Sequence, residues 1–274
     1  MLVFPNAKLN LGLHITARRP DGFHTLETAM VPLPWTDALE ILPAAEGKTE
    51  LTLTGRPVPG DPASNLCVRA YELLRADFPQ VPAVRINLHK VVPIGAGLGG
   101  GSADAAFALK ALNIVLNLRL TEQQQEAYAR RLGSDCAFFI RNLSALATGR
   151  GDELTPLPLP QLASTACKVV YPNLHISTAE AYAGVTPRAP QHDLRTALAG
   201  PIETWRETVV NDFEASLAPK FPVLEQLKQQ LYAAGAAYAS LSGSGSAVFG
   251  LWPGLETPPA VEFNANFEVW NGRL

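Results

Sequence analysis

The residues most able to do chemistry lie in one short stretch: Pro93-Ile94-Gly95-Ala96-Gly97-Leu98-Gly99-Gly100-Gly101-Ser102-Ala103. Five glycines in seven residues, 95–101, leave few side chains between the backbone and whatever approaches it. Successive N–H groups in such a run can form an anion nest, and a helix that follows adds the positive end of its dipole. Ser102 lies where its hydroxyl could bond a phosphate oxygen or reach a metal. The plain alternative is a flexible surface loop, which fits poorly between a strand and an alanine-rich helix start. Two other phosphate motifs do not apply. The Walker pattern needs Lys and then Ser or Thr after its last glycine, and here Gly101 is followed directly by Ser102. The spacing of Gly95, Gly97 and Gly100 matches the dinucleotide fingerprint, but no strand ends in an acidic residue about twenty positions on, since Glu122 falls inside a predicted helix.

Periodicity shows which elements must position this loop. Residues 8–15 alternate, with Leu9, Leu11, Leu13 and Ile15 on one face and Lys8, Asn10, Gly12 and His14 on the other. That period of two predicts a half-buried strand with a polar working face. Arg19-Pro20-Asp21-Gly22 supplies turn chemistry, and further extended segments are expected near 28–32 and 50–53. Helical spacing runs over 64–78. Residues 84–88 read as the strand that feeds the glycine loop, and helices follow over 102–117 and 121–132. Thr121 opens the second of these, with Gln124 completing a capping box. Residues 137–140 and 145–147 look extended, and the proline run over 155–160 is the best linker candidate. Beyond it come a strand at 168–171, a short helix at 178–182 and a helix at 223–234. Strands at 238–241 and 247–252 then flank a second glycine cluster. Without strict βαβ alternation the fold class is α+β, in two domains covering residues 1–157 and 158–274.

Composition narrows the partners. Over 274 residues, 47% are apolar and 17% charged, which is globular composition. A net charge of −3 argues against nucleic acid as the main partner. The amino terminus lacks the pattern of a signal peptide, and no apolar stretch is long enough to span a bilayer, so the expected location is the cytoplasm. Cys67, Cys136 and Cys167 are odd in number and far apart, which is neither a disulfide framework nor metal-ligand spacing.

Three motifs occur in order: Pro5-Asn6-Ala7-Lys8-Leu9-Asn10, the glycine loop, and Leu241-Ser242-Gly243-Ser244-Gly245-Ser246-Ala247-Val248-Phe249. Together they resemble the GHMP small-molecule kinases, the group that includes galactokinase, homoserine kinase and mevalonate kinase. Arg19-Pro20-Asp21-Gly22-Phe23-His24, Leu132-Gly133-Ser134-Asp135 with Phe138-Phe139, Gly149-Arg150-Gly151-Asp152 and Asn211-Asp212-Phe213-Glu214 narrow the likeness. They match the branch whose acceptor is a cytidine diphosphate-linked methylerythritol of non-mevalonate isoprenoid synthesis. The likeness covers nearly the whole chain. It implies a two-domain GHMP kinase fold, with an N-terminal domain like ribosomal protein S5 domain 2 and a ferredoxin-like C-terminal domain. It also implies ATP with Mg2+ and phosphorylation of the hydroxyl at the 2-position.

Phosphoryl transfer to an alcohol needs the hydroxyl held in line, the moving charge stabilised and a place for the proton. By resemblance, Asp135 accepts that proton and Lys8 pairs with it and bears on the phosphoryl group. Taken alone, Lys8 reads as a solvated strand-edge charge and Asp135 as a turn or cap residue. The resemblance puts ATP against residues 93–103, with Lys90 and Asn65 near the adenine. It also puts His24 on a cytosine edge, with Phe23 and Tyr182 stacking on the base and Asn10 and Thr178 as polar partners of the substrate. Relatives often carry tyrosine where this chain has Phe23, so a contact made by that hydroxyl is lost. Tyr182 alone also reads as a core tyrosine on a helix. Magnesium would be held mainly by phosphates and water, so no protein ligand is assigned, and nothing in the sequence fixes the oligomeric state. The competing readings are another kinase of the group acting on homoserine or mevalonate, a non-catalytic nucleotide-binding protein, and a dehydrogenase.

Overall fold

The computed structural model describes residues 1–44 and 47–274. Its strands in chain order are β1 (Leu2–Val3), β2 (Asn6–Arg18), β3 (His24–Thr36), β4 (Ala38–Pro43), β5 (Glu50–Gly55), β6 (Val84–Lys90), β7 (Ala145–Thr148), β8 (Glu153–Pro156), β9 (Ala166–Tyr171), β10 (Tyr238–Leu241), β11 (Val248–Trp252) and β12 (Glu268–Arg273). The helices are α1 (Leu66–Asp77), α2 (Gly100–Val115), α3 (Glu122–Leu132), α4 (Cys136–Arg141), α5 (Thr178–Ala183), α6 (Leu194–Ala199), α7 (Trp205–Thr208), α8 (Asp212–Leu217) and α9 (Pro222–Ala233). They form two compact units. The first holds Met1–Ala7, Trp35–Ile94 and Gly99–Leu143; the second holds Lys8–Pro34, Gly95–Leu98 and Ser144–Leu274.

In the first unit a sheet of order β1-β4-β6-β5 packs against α2, which in turn contacts α1, α3 and α4. β5 and β6 pair in parallel, Leu51 opposite Ile86 and Leu53 opposite Leu88, so α1 is the crossover of a single βαβ unit. The other pairs of this sheet are antiparallel. α2 is buried on most sides, and Ala103, Ala105, Ala106, Ala108 and Ala111 let neighbouring elements approach its backbone closely. β6 ends at Lys90, ten residues before α2 begins at Gly100, and the glycine loop fills the interval.

The second unit has two four-stranded sheets, β2-β3-β7-β8 and β10-β11-β9-β12. Its core joins Leu13 and Ile15 of β2 to Val170, Phe213, Leu227, Leu231, Leu241 and Trp252. Burial of each such side chain contributes about 1.5–3 kcal/mol relative to exposure.

Several expectations need correction. Residues 137–140 are helical, inside α4, where all of Cys136 to Ile140 are buried. A short apolar run has no period to separate a buried helix from a strand. Within the proline run Thr155, Pro156, Pro158 and Pro160 are exposed, while Leu157 is buried and donates its N–H to the Ser144 carbonyl at 3.0 Å. β2 is buried on both faces rather than one, with Lys8, Asn10 and His14 as inaccessible as the leucines.

Candidate active site

Asn65, Lys90 and Asp135 all lie in the first unit. A pocket of about 180 Å³ is lined by Leu53, Pro59, Leu66, Leu88 and Ile94 together with the polar Asn65, Lys90, Gly101 and Asp104. Apolar walls with a few polar groups suit a flat base. Asn65 reaches this pocket while its side chain caps α1, accepting from the Cys67 N–H at 2.9 Å. Lys90, at 3% exposure, carries an ammonium that donates to both Asp37 and Asp104. Burial works against that ammonium, but the two carboxylates outweigh it and hold its pKa above the ordinary lysine value. Asp104 is pushed up to about 7, chiefly by burial and by the Asp37 charge, with Lys90 opposing.

The glycine loop has the backbone that its sequence demands. Gly95, Gly97 and Gly99 take φ of 69°, 77° and 70°, and Gly99 is the residue before the first turn of α2. Ala96 and Leu98, between them, are buried and anchor the loop. Three successive carbonyls are satisfied within the second unit. Ala96 accepts from the Ala247 N–H at 3.1 Å, Gly97 from the Ser242 hydroxyl at 3.0 Å, and Leu98 from the Lys8 N–H at 2.9 Å. With its carbonyls turned inward and left-handed residues alternating with ordinary ones, the loop presents an amide edge suited to an anion. At Gly97 an added Cβ would stand 1.9 Å from the Ser242 carbonyl oxygen, so no other residue fits there. Pro93 and Ala103, at either end, are buried, and Ser102 is half-buried beside Cys136.

Asp135 is half-buried in the first unit at the residue preceding α4, and its carboxylate does not cap that helix. The cap alternative is therefore not what the geometry shows. Burial pushes the neighbouring Cys136 thiol up to about 11, which makes it inert at neutral pH.

Lys8, Asn10, Phe23, His24, Thr178 and Tyr182 all lie in the second unit. Lys8 is only 4% exposed, so it is not a solvated edge charge. Its ammonium donates to the Asn10 side-chain oxygen, and the Asn10 amide nitrogen donates to Thr28 at 3.0 Å. The Thr28 hydroxyl in turn donates a hydrogen bond to the Gly12 carbonyl at 2.5 Å. Both ends of the Asn10 amide are thus engaged, and the residue orients Lys8. An added Cβ at Gly243 would lie 3.3 Å from the Lys8 nitrogen and 3.4 Å from the Gly97 carbonyl oxygen, so the 242–246 turn sits against both. Asn211 holds that turn by donating to the carbonyls of Leu241 and Gly243, each at 2.9 Å.

His24 stacks on Tyr182 at 4.7 Å between ring centroids, and Tyr182 meets Phe213 edge-on at 5.0 Å. Phe23, 55% exposed, is not in that stack; the Arg150 guanidinium lies over its ring at 5.1 Å. Thr178 is exposed in the first turn of α5. Sequence reasoning missed Asp37, Asp104 and Thr28, and gave Asn211, quoted in a motif, no task. The available signal was a charge or amide set among apolar neighbours, as Asp104 is between Ala103 and Ala105.

The chain matches the family model described as "GHMP kinases N terminal domain" over residues 65–142 and the one described as "GHMP kinases C terminal" over 194–266. It is 48% identical over 252 residues to the 4-diphosphocytidyl-2-C-methyl-D-erythritol kinase of Cytophaga hutchinsonii, covering 92% of each chain. Against the protein of that name from Bacteroides thetaiotaomicron it is 46% identical, with both chains covered completely. A crystal structure of 4-(cytidine 5'-diphospho)-2C-methyl-D-erythritol kinase superposes with a TM-score of 0.78 at 32% identity, over 99% of this chain and 98% of that one. A crystal structure of mevalonate kinase shares the fold at a TM-score of 0.72 and 13% identity, over 100% and 98%. The expected α+β GHMP fold is therefore the observed one. With both family models in order and identity near one half over almost every residue, the chain belongs to the 4-diphosphocytidyl-2-C-methyl-D-erythritol kinase family of the GHMP kinases.

Proposed function

We propose that this protein transfers the terminal phosphoryl group of ATP to the 2-hydroxyl of 4-diphosphocytidyl-2-C-methyl-D-erythritol, in the cytoplasm, as a step of non-mevalonate isoprenoid precursor synthesis. The observation that carries the reading is the glycine loop, with its carbonyls turned inward and its amides left for phosphate.

Each residue then has a defined task. The pocket around Asn65 and Lys90 takes the adenine, and the amides of residues 95–102 with the amino end of α2 take the phosphates. Lys8, held by Asn10 on β2, balances the charge on the moving phosphoryl group. Asp135 takes the proton of the attacking hydroxyl, so that the oxygen bonds phosphorus as the bond to ADP breaks. His24 reads the cytosine edge, and Tyr182 and Phe23 offer rings to the base, with Thr178 at its polar rim. Residues 1–157 bring ATP and the two reacting groups, and 158–274 bring Thr178 and Tyr182. Among the described residues no group of three His, Cys, Asp or Glu could hold a metal. A magnesium ion would be carried mainly by the nucleotide's own phosphates and water, where it would neutralise phosphate charge.

Product analysis tests the proposal. With ATP and the cytidine compound, phosphorus NMR should show one new phosphomonoester at the 2-position, formed in step with ADP. A phosphate elsewhere on the acceptor, or ADP without a phosphorylated product, would refute it.

A further inference from the structure

We propose that Asp37, Lys90 and Asp104 form a buried clamp that ties together the two ends of the phosphate loop, and that Asp37 and Asp104 are positioning residues for ATP. The inference rests on the kinase reading above and concerns Asp37 and Asp104, to which that reading gives no part.

The contacts all lie in the first unit. Asp37 stands between β3 and β4, and one of its oxygens accepts from the N–H of Val91 at 2.5 Å and of Val92 at 2.9 Å. These are the last residues before Pro93, where the loop begins. Its other oxygen accepts from the Lys90 ammonium. The same ammonium donates at 2.7 Å to Asp104, in the first turn of α2, where the loop ends. Entry and exit are thus joined through one nitrogen. The ends also touch, since a Cβ added at Gly100 would lie 3.2 Å from Val92 Cγ1 and 3.4 Å from the Lys90 nitrogen. Lys90 and Asp104 line the pocket as well, so a shift in the clamp reaches the base.

Stability does not explain the second carboxylate. A single aspartate would already compensate the ammonium, and a further buried carboxylate is unfavourable. Asp104 is 3% exposed, and among the described residues its Oδ1 has no hydrogen-bond partner. An apolar residue there would suit the core better. What Asp104 adds is the tie between α2 and the strand side of the loop.

The test compares wild type with Asp104→Ala and Asp104→Asn, measuring ATP affinity by calorimetry together with steady-state constants and melting temperature. Asp104→Ala should raise the Kd and KM for ATP about tenfold, the equivalent of roughly 1.4 kcal/mol. Acceptor KM and kcat at saturating ATP should stay within about twofold, and melting temperature should not fall, because the variant leaves a balanced Lys90–Asp37 pair. Asp104→Asn keeps an oxygen for Lys90 and should restore most of the affinity. If the alanine variant cannot be purified, Asp104→Leu fills the site without an acceptor and gives the same reading. ATP affinity within twofold of wild type in the alanine or leucine variant overturns the clamp while leaving the kinase reading intact. So does a general loss, in which both KM values rise and kcat falls together with melting temperature. Wild type that binds no ATP overturns both.

Discussion

Replacing Gly97 by alanine tests the loop at its tightest point. Gly97 has φ of 77°, and an added Cβ would stand 1.9 Å from the Ser242 carbonyl oxygen. Holding alanine in the left-handed region costs roughly 1–2 kcal/mol. The close approach is a separate cost, because backbone on one side or the other must move by more than 1 Å to reach ordinary contact (about 3.3 Å for carbon and oxygen). That movement breaks the bond from the Ser242 hydroxyl to the Gly97 carbonyl, 3.0 Å long, at a further cost of about 0.5–1.5 kcal/mol. The sum is roughly 2–4 kcal/mol, and if it falls on the ATP-binding geometry, affinity drops by about 30- to 1000-fold. Gly254 is the control: its φ is 75°, but an added Cβ meets nothing within 4 Å. ATP KM and melting temperature are measured for both variants by ADP release and thermal unfolding. Gly97→Ala should show a large rise in ATP KM, and Gly254→Ala only the small loss of stability that strain brings. An ATP KM within twofold of wild type for Gly97→Ala would refute the idea that the loop must lie against the 242–246 turn to hold phosphate.

Three further outcomes follow from the same geometry. Asp135→Asn should bind both substrates within about threefold of wild type and turn over about 10²–10⁴-fold more slowly, as removal of a proton acceptor requires; near-normal kcat in stopped-flow or steady-state assays removes Asp135 from the chemistry. Tyr182→Ala should weaken the cytidine substrate by about 1–3 kcal/mol and leave ATP unchanged in calorimetric titration. Equal weakening would mean that Tyr182 serves only the core through its contact with Phe213. Asp104 binds its proton more tightly folded, near pH 7, than unfolded, near 3.8, so wild-type stability should fall relative to Asp104→Asn as pH rises from about 4 to 7. The effect is at most about 4 kcal/mol and levels off above that window. Denaturation curves in which the two proteins run parallel from pH 4 to 8 would contradict the burial argument for Asp104.

How much of this the sequence disclosed depended on the range of the interaction. The capping box of Thr121 and Gln124 involves residues three apart, and both of its bonds form as read. The glycine loop was legible for the same reason, since its positive φ values follow from residue type alone. α4 was misread because its five buried residues present no polar face from which a period could be taken. β4 and β12 escaped notice because pairing with β6 and β9 defines them, and those partners lie some 45 and 100 residues away. The polar face of β2 was recognised, but not that Asn10 and Thr28 would turn it inward to hold Lys8. Asp37 and Lys90 are 53 positions apart, and Asn211 and Gly243 are 32 apart. No local spacing encodes such pairs; only the folded chain brings them together.

The most direct test of the account is acceptor choice. Measured with ATP as donor, kcat/KM for 4-diphosphocytidyl-2-C-methyl-D-erythritol should exceed that for homoserine and for mevalonate by about 10³-fold or more, the discrimination expected of a site that hydrogen-bonds and stacks on a base. Comparable or faster turnover of either small acceptor, or no ATP-dependent turnover of the cytidine compound, would contradict it.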